Sequence, residues 1–146
     1  ISVLDAVEDA KKAMRTLFPH AEYINRLIKL TDTAIKLSKN NEINDLDAIY
    51  QLGEGWVAEE TLAIAIFCSI KYEHNFEKAI IASVNHSGDS DSTGSVTGNI
   101  LGAHLGIKAI PQKFLDQLEL KDVILEIADD LFYDCKISEY ENTDNK

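Results

Sequence analysis

Residues 57–72 read Val-Ala-Glu-Glu-Thr-Leu-Ala-Ile-Ala-Ile-Phe-Cys-Ser-Ile-Lys-Tyr. Two acidic residues stand near the start of this stretch, where the positive end of a helix dipole favours them, and the remainder is almost wholly apolar. A β-strand over residues 62–66 is the competing interpretation, but the alanines and the length of the run favour a helix. The sequence therefore predicts a central helix that is buried on most of its sides.

Amphipathic segments surround this central helix. Ser2 and Asp5 form a capping-box pattern before a first helix that Pro19 ends, and Asp45 is placed to cap a short later helix. The helical period predicts further helices over residues 21–39, 45–52, 76–84, 93–105, 111–118 and 123–132. We expect one all-α domain over residues 1–146, compact, with seven or eight helices, orthogonal rather than coiled-coil packing, and a frayed tail over residues 136–146.

The composition limits the classes of partner. The chain carries a formal net charge of −11 over 146 residues, whereas binding nucleic acid through a basic face needs clustered Lys and Arg. No run approaches the ~20 apolar residues of a membrane span. Cys68 and Cys135 lie in apolar helical patterns, which indicates buried thiols in a reducing, cytoplasmic setting. We therefore expect a cytoplasmic protein that binds neither nucleic acid nor a membrane.

The first residue, Ile1, indicates an internal start.

A polar segment, the acidic turn (residues 88–94), reads Gly-Asp-Ser-Asp-Ser-Thr-Gly. Asp89, Asp91 and Ser92 offer the hard oxygen ligands that Mg²⁺, Mn²⁺ or Ca²⁺ prefers. Simple N-capping of the following helix, with no bound ion, explains the same residues about equally well. An EF-hand loop would require Glu at its twelfth position, which is Ile100 here. Three protein oxygens are too few for a six-coordinate ion, so other ligands must come from elsewhere.

Four glycines, Gly94, Gly98, Gly102 and Gly106, recur every fourth residue after the acidic turn. Each costs about 1 kcal/mol relative to Ala inside a helix, so their presence needs a reason. Close packing of another helix is favoured over direct contact between the backbone and a ligand.

Two single residues near these segments have alternative interpretations. His86 stands just before the acidic turn, and a hydrogen-bonding spacer is favoured over a metal ligand or a catalytic group. Trp56 is the only tryptophan and follows a glycine-bounded loop. It either stacks on the base of a ligand or packs at the start of a helix.

Three segments together carry a resemblance to a known family: residues 85–106, residues 52–66 (Leu-Gly-Glu-Gly-Trp-Val-Ala-Glu-Glu-Thr-Leu-Ala-Ile-Ala-Ile) and the pair Ile110-Pro111. They resemble the C-terminal part of proteins in the ADP-ribosylglycohydrolase family, of the type of the dinitrogenase-reductase-activating glycohydrolase. The acidic turn is similar to the late metal motif of that family, written Gly-Asp, Thr or Ser, Asp, then Thr or Ser. The resemblance extends over most of the chain but covers only the later half of a full family member.

The resemblance implies an all-α fold and metal-dependent hydrolysis of the glycosidic bond between ADP-ribose and an acceptor. Family enzymes hold two Mg²⁺ or Mn²⁺ ions between early and late acidic motifs. By residue-for-residue match, Asp89, Asp91 and Ser92 are the late metal ligands. The same match implies that Gly55 and Trp56 border the adenosine side of the ligand.

The early motifs of the family, a Gly-Asp pair and a Thr-Asp-Asp-Thr run, are absent from this sequence. Residues 31–33, Thr-Asp-Thr, lack one acid and lie mid-helix, so we assign them no metal role. The acid-base residues of the family lie with those early motifs, so no catalytic residue is identified on this chain. We expect a fragment, a cleavage product or half of a split protein, inactive alone and partnered by the missing N-terminal half or a second chain. The alternative is a non-catalytic helical module that binds a metal ion or ADP-ribose.

Overall fold

The computed structural model describes residues 1–134, and every regular element in that range is helical. The described elements are α1 (Val3–Leu17), α2 (Ile24–Ser38), α3 (Asp45–Leu52), α4 (Ala58–Lys71), α5 (Phe76–Val84), α6 (Ser90–Leu105), a 3₁₀ turn (Ile107–Ala109), α7 (Gln112–Asp116) and α8 (Lys121–Tyr133). These eight α-helices confirm the predicted all-α fold and its helix number. Cys135 and the predicted frayed tail over residues 136–146 lie outside the described residues.

The helices fall into two compact units, Ile1–Pro111 and the segment from Gln112 onward. The first unit contains α1 to α6, and the second contains α7 and α8. The expectation of one domain over residues 1–146 stays a prediction. Across residues 1–134, no helix is both long enough and apolar enough to cross a membrane.

Helix α4 lies at the centre of the first unit and contacts α1, α2, α3, α5 and α6. Its fully buried residues include Ala63, Ile64, Ala65, Phe67 and Cys68, each with no exposed surface. The central buried helix is therefore confirmed, and the strand alternative for residues 62–66 is wrong. A helix pairs its backbone N–H and C=O groups within the segment, so the stretch can be enclosed by other helices.

The starts of two helices illustrate how local sequence fixes them. The Ser2 hydroxyl accepts from the Asp5 N–H at 3.0 Å and the Asp5 carboxylate accepts from the Ser2 N–H, which confirms the capping box. The cap of α3 is Asn44, whose side chain accepts from the Asp47 N–H at 2.9 Å, so the expectation for Asp45 is wrong. Asp45 is the first helical residue, where the dipole favours its charge.

Helix α6 begins at Ser90, three residues earlier than the sequence period predicts. The reason is Asp89, whose side chain accepts from the Ser92 N–H and so serves as the N-cap. Asp91 and Ser92 therefore lie in the first turn of the helix rather than before it. This places all three candidate ligands at one helix end.

The four regularly spaced glycines have different roles in the structure. A Cβ on Gly94 would lie 2.6 Å from a methyl of Val84, and one on Gly98 would contact Ile80 at 3.8 Å. Both neighbours belong to α5, and close helix packing is thereby confirmed as the reason for Gly94, whereas the contact at Gly98 is an ordinary van der Waals distance that would admit a methyl group. Gly102 has nothing within 4 Å of such a Cβ. Gly106 ends the helix with φ of 75°, a conformation that glycine adopts without strain.

Candidate functional site

The acidic turn brings two carboxylates together at the N-terminus of α6. Oδ1 of Asp89 accepts from the Ser92 N–H at 3.3 Å, and Oδ1 of Asp91 accepts from the same N–H at 2.8 Å. The pKa of Asp89 is lowered, first by its hydrogen bond with the Asp91 side chain and then by that with Ser92. Asp89 is thus ionised at neutral pH, and the capping role predicted for the turn is present.

A buried hydrogen-bond cluster holds the turn from beneath. The Thr93 hydroxyl, fully buried, donates to the Ser83 carbonyl at 2.6 Å and lies 3.0 Å from Nε2 of His86. Nδ1 of His86 accepts from the Gly88 N–H at 3.1 Å, so the proton of the neutral ring is on Nε2. Both ring nitrogens of His86 are occupied within the turn. His86 is a hydrogen-bonding spacer, as the sequence favoured.

A second segment, the glycine loop (residues 53–56), lies directly against the acidic turn. The Asp89 N–H donates to the Glu54 carbonyl oxygen at 2.8 Å. Gly88 sits so close that an added Cβ would stand 2.6 Å from the Glu54 carbonyl carbon. Gly55, with φ of 82°, would bring a Cβ to 3.0 Å from a methyl of Thr93. The two segments therefore form a close-packed pair although they are more than thirty residues apart in sequence.

Between these segments opens a cleft with a volume of about 660 Å³. Its lining residues are Gly55, Trp56, Val57, Ala58, Thr61, Leu62, Asp89, Asp91, Ser92, Ser95 and Val96. The structure thus brings all five sequence-predicted site residues to one cleft. The sequence missed the part of the wall that comes from the following turns of α4 and α6. Helical spacing from the predicted residues was the available signal, since Ser95 and Val96 lie three and four residues beyond Ser92.

Trp56 stands at this cleft with 67% of its surface exposed, so packing at a helix start does not account for it. Its indole N–H donates to a carboxylate oxygen of Glu54 at 3.2 Å. The indole N–H lies in the ring plane, so this bond does not occupy a face of the ring. An exposed, hydrogen-bonded indole is suited to stacking on a base.

The donor set of the acidic turn fits a hard divalent cation in type but not in number. Asp89, Asp91 and Ser92 supply carboxylate and hydroxyl oxygens, the ligands that Mg²⁺ and Mn²⁺ prefer. Within residues 1–134, no three side chains of His, Cys, Asp or Glu come together as a metal-holding group. A cation bound here therefore needs ligands beyond these three residues.

The Thr-Asp-Thr run at residues 31–33 does not line the cleft and is held by structural contacts. Asp32 forms an ion pair with Lys11 of α1, and this hydrogen bond is the main cause that raises the pKa of Lys11. The hydroxyls of Thr31 and Thr33 donate to the carbonyls of Leu27 and Lys29, both at 2.9 Å. These partners account for the run without a metal ion.

Comparison with known proteins gives a family and several relatives. The model of the family described as ADP-ribosylglycohydrolase matches residues 2–140. The chain is 30% identical to ADP-ribosylhydrolase ARH3 of Danio rerio over 87% of this chain and 35% of that protein. It is 41% identical to ADP-ribosylarginine hydrolase Tri1 of Serratia proteamaculans over 40% of this chain and 16% of that protein.

A third relative is the ADP-ribosyl-[dinitrogen reductase] glycohydrolase of Rhodospirillum rubrum, 39% identical over 32% of this chain and 16% of that protein. The chain therefore spans about a third or less of the length of these three relatives. No solved structure matches the chain.

Proposed function

The chain belongs to the ADP-ribosylglycohydrolase family, and we propose that it provides the late metal-binding half of a site that hydrolyses the glycosidic bond between ADP-ribose and an acceptor. The names of the relatives support this bond type, since one is a hydrolase of ADP-ribosylarginine and another of ADP-ribosyl-[dinitrogen reductase]. Their acceptors differ, so the proposal names the bond and not the acceptor.

The observation that carries the proposal is the shared cleft. Asp89, Asp91 and Ser92 line it together with Gly55 and Trp56, so oxygen ligands and a stacking surface border one volume. A nucleotide sugar presents hydroxyls and a planar base, which need those two kinds of surface. An N-capping role alone would not call for an exposed tryptophan beside the cap.

The proposed cofactor is Mg²⁺ or Mn²⁺, as a pair of ions in the complete protein. Asp89, Asp91 and Ser92 would hold the late side of this pair, and the metal would bind the ribose hydroxyls and orient the attacking water. The remaining ligands would come from the missing N-terminal half or from a second chain. The length of the relatives supports this division, since the chain spans 35% of the fish protein.

In the proposed reaction, the residues of this chain bind and orient the metal ion and the nucleotide. The lowered pKa keeps Asp89 ionised, Thr93 fixes the turn from below, and Trp56 would stack on the adenine. Among the described residues that line the cleft, Asp89 and Asp91 carry the ionisable side chains. Both are assigned to the metal, so the acid-base groups must come from the other half, and the chain alone should be inactive.

The setting that we propose is cytoplasmic, without a nucleic acid or membrane partner. Cys68 is a buried free thiol, and burial raises its pKa, which keeps it protonated and unreactive. The formal net charge of −11 disfavours contact with phosphate backbones. An ADP-ribosylated substrate is the partner that the cleft would accept.

The proposal is tested by mixing the chain with a polypeptide that supplies the N-terminal half of the site, with the early acidic motifs. Release of ADP-ribose from a modified protein is then assayed. We expect release only from the combination, and only with Mg²⁺ or Mn²⁺ present. Asp89→Asn and Asp91→Asn should each weaken Mn²⁺ binding, measured by calorimetry, by about tenfold or more. Asp9→Asn removes the same charge from an exposed position on α1 and serves as the control. Full turnover by the chain alone would contradict the half-site.

A second candidate is a non-catalytic module that binds a metal ion or ADP-ribose. The small number of ionisable side chains in the described cleft favours it for the isolated chain. Binding of ADP-ribose without release, even after the N-terminal half is supplied, would decide for this module.

A further inference from the structure

We propose that Glu60 is a positioning residue for the cleft: its carboxylate, paired with Arg26, fixes the glycine loop and thereby sets where the Trp56 indole stands. The inference rests on the proposed function only in taking a nucleotide as the ligand that Trp56 contacts. Glu60 itself is not among the residues that line the cleft. Its effect on the ligand must therefore pass through the loop.

The Glu60 carboxylate makes contacts in two directions. One oxygen, Oε2, accepts from the backbone N–H of Glu54 at 3.2 Å and from that of Gly55 at 3.3 Å. The other oxygen, Oε1, lies 3.3 Å from Nη2 of Arg26 on α2. The Glu60 side chain is 21% exposed, so these bonds are partly shielded from water. A single carboxylate thus joins α2, α4 and the loop.

The loop needs such an anchor because of its own sequence. Gly53 and Gly55 have φ of 124° and 82°, conformations that residues other than glycine rarely adopt. Two glycines in four residues leave the unrestrained loop a large conformational freedom, and ordering each residue has an entropic cost. The Gly53 backbone packs directly on the Glu60 side chain, whose Cγ lies 2.7 Å from where a Cβ would be. The carboxylate therefore selects one loop conformation.

From the loop, the constraint reaches both walls of the cleft. The Glu54 carbonyl, next to the N–H that Glu60 holds, accepts from the Asp89 N–H at 2.8 Å. The Glu54 carboxylate accepts from the indole N–H of Trp56. The Gly55 carbonyl accepts from the Thr61 hydroxyl at 2.7 Å. Glu60 thus holds the segment that carries Trp56 against the segment that carries Asp89.

Glu59 provides a matched control. It is the neighbouring residue, carries the same charge and pairs with the same arginine, since its Oε1 lies 3.1 Å from Nε of Arg26. Its side chain lines neither the glycine loop nor the cleft. Replacing Glu59 therefore removes a helix-start charge and an Arg26 contact while leaving the loop anchor in place.

The experiment uses the full 146-residue chain and the fluorescence of Trp56, its single tryptophan. Steady-state anisotropy of the indole is measured first without ligand, and ADP-ribose is then titrated. Glu60→Ala should lower the anisotropy and weaken ADP-ribose binding by on the order of tenfold to a hundredfold, because the freed loop must be ordered on binding. Glu60→Gln keeps the size and one acceptor oxygen of the side chain but loses its charge. Its anisotropy and its affinity for ADP-ribose should therefore lie between those of Glu60→Ala and wild type. Glu59→Ala should match wild type within about twofold.

The outcomes separate this inference from the proposed function. If the wild-type chain alone does not bind ADP-ribose, the anisotropy without ligand still decides the role of Glu60, while the release assay with the N-terminal half tests the proposed function separately. If Glu60→Gln and Glu60→Ala keep the anisotropy and the affinity of wild type, Glu60 does not position the loop. If Glu59→Ala has the same effects as Glu60→Ala, the cause is the charge at the start of α4, and the inference is overturned. Circular dichroism verifies that each variant is folded, and Glu60→Gln decides if Glu60→Ala is not.

Discussion

Substitution of Gly88 by alanine should separate the glycine loop from the acidic turn. The backbone of Gly88 has no unusual φ, so the limit on a side chain is space and not conformation. A Cβ at this position would overlap the Glu54 carbonyl group, standing 2.6 Å from its carbon and 2.8 Å from the Glu54 Cα. Carbon atoms in contact prefer about 3.5 to 4.0 Å, and the Glu54 carbonyl oxygen would lie nearer to the Cβ than either carbon, so the loop must shift by more than about 1 Å.

The magnitude follows from what that shift breaks. Overpacking of this kind costs about 1 to 3 kcal/mol. The bond from the Asp89 N–H to the Glu54 carbonyl, now 2.8 Å, is worth about 0.5 to 1.5 kcal/mol more. The lower entropy of the unfolded alanine chain returns about 0.4 to 1 kcal/mol. The three terms together span about 0.5 to 4 kcal/mol. We therefore expect Gly88→Ala to lower the free energy of unfolding by about 2 kcal/mol, against a usual total of about 5 to 15 kcal/mol.

The measurement is urea unfolding followed by far-ultraviolet circular dichroism, with Trp56 fluorescence as a local probe of the loop. Gly102→Ala is the control, because nothing lies within 4 Å of its Cβ position in the interior of α6. It should stabilise the chain by roughly 0.5 to 1 kcal/mol through helix propensity. If Gly88→Ala unfolds within about 0.5 kcal/mol of wild type, the loop and the turn are not in the tight contact described above.

Three further predictions concern the framework. Phe67→Ala should cost about 3 to 5 kcal/mol in the same urea experiment, because Phe67 is fully buried in α4; a loss below 1 kcal/mol would contradict its central position. Asn44→Ala should cost about 1 kcal/mol by removing the cap of α3, whereas Asn44→Ser, which keeps an accepting oxygen without placing a second carboxylate against Asp47, should restore most of it. Burial, and then the hydrogen bond to Asp45, raises the pKa of Tyr72 to about 12, so its contribution to stability is complete below pH 10 and lost as the pH rises through about 12. In a phenolate absorbance titration, Tyr72→Phe should remove the component that ionises near pH 12; loss of a component near pH 10 would refute the shift.

Much of the fold was predictable because its signals are local. The run over residues 57–72 specified a buried helix, and the Ser2-Asp5 pair specified the start of the first one. Boundaries were less accurate where two polar residues compete for one cap. The N-cap of α3 is Asn44 and not Asp45. The N-cap of α6 is Asp89, so this helix begins earlier than the period of its apolar residues indicated. Such choices depend on which side chain reaches the free N–H groups, which spacing alone does not fix.

The candidate site divides in the same way. The sequence by itself determined the helical class, the family resemblance and the chemical types of Asp89, Asp91, Ser92 and Trp56. Only the tertiary structure decided that the segments of Trp56 and Asp89 meet at one cleft, joined by the Glu54 carbonyl and held through Glu60. The physical reason is that helix formation follows interactions three or four residues apart, whereas contact across more than thirty residues depends on how buried helices pack.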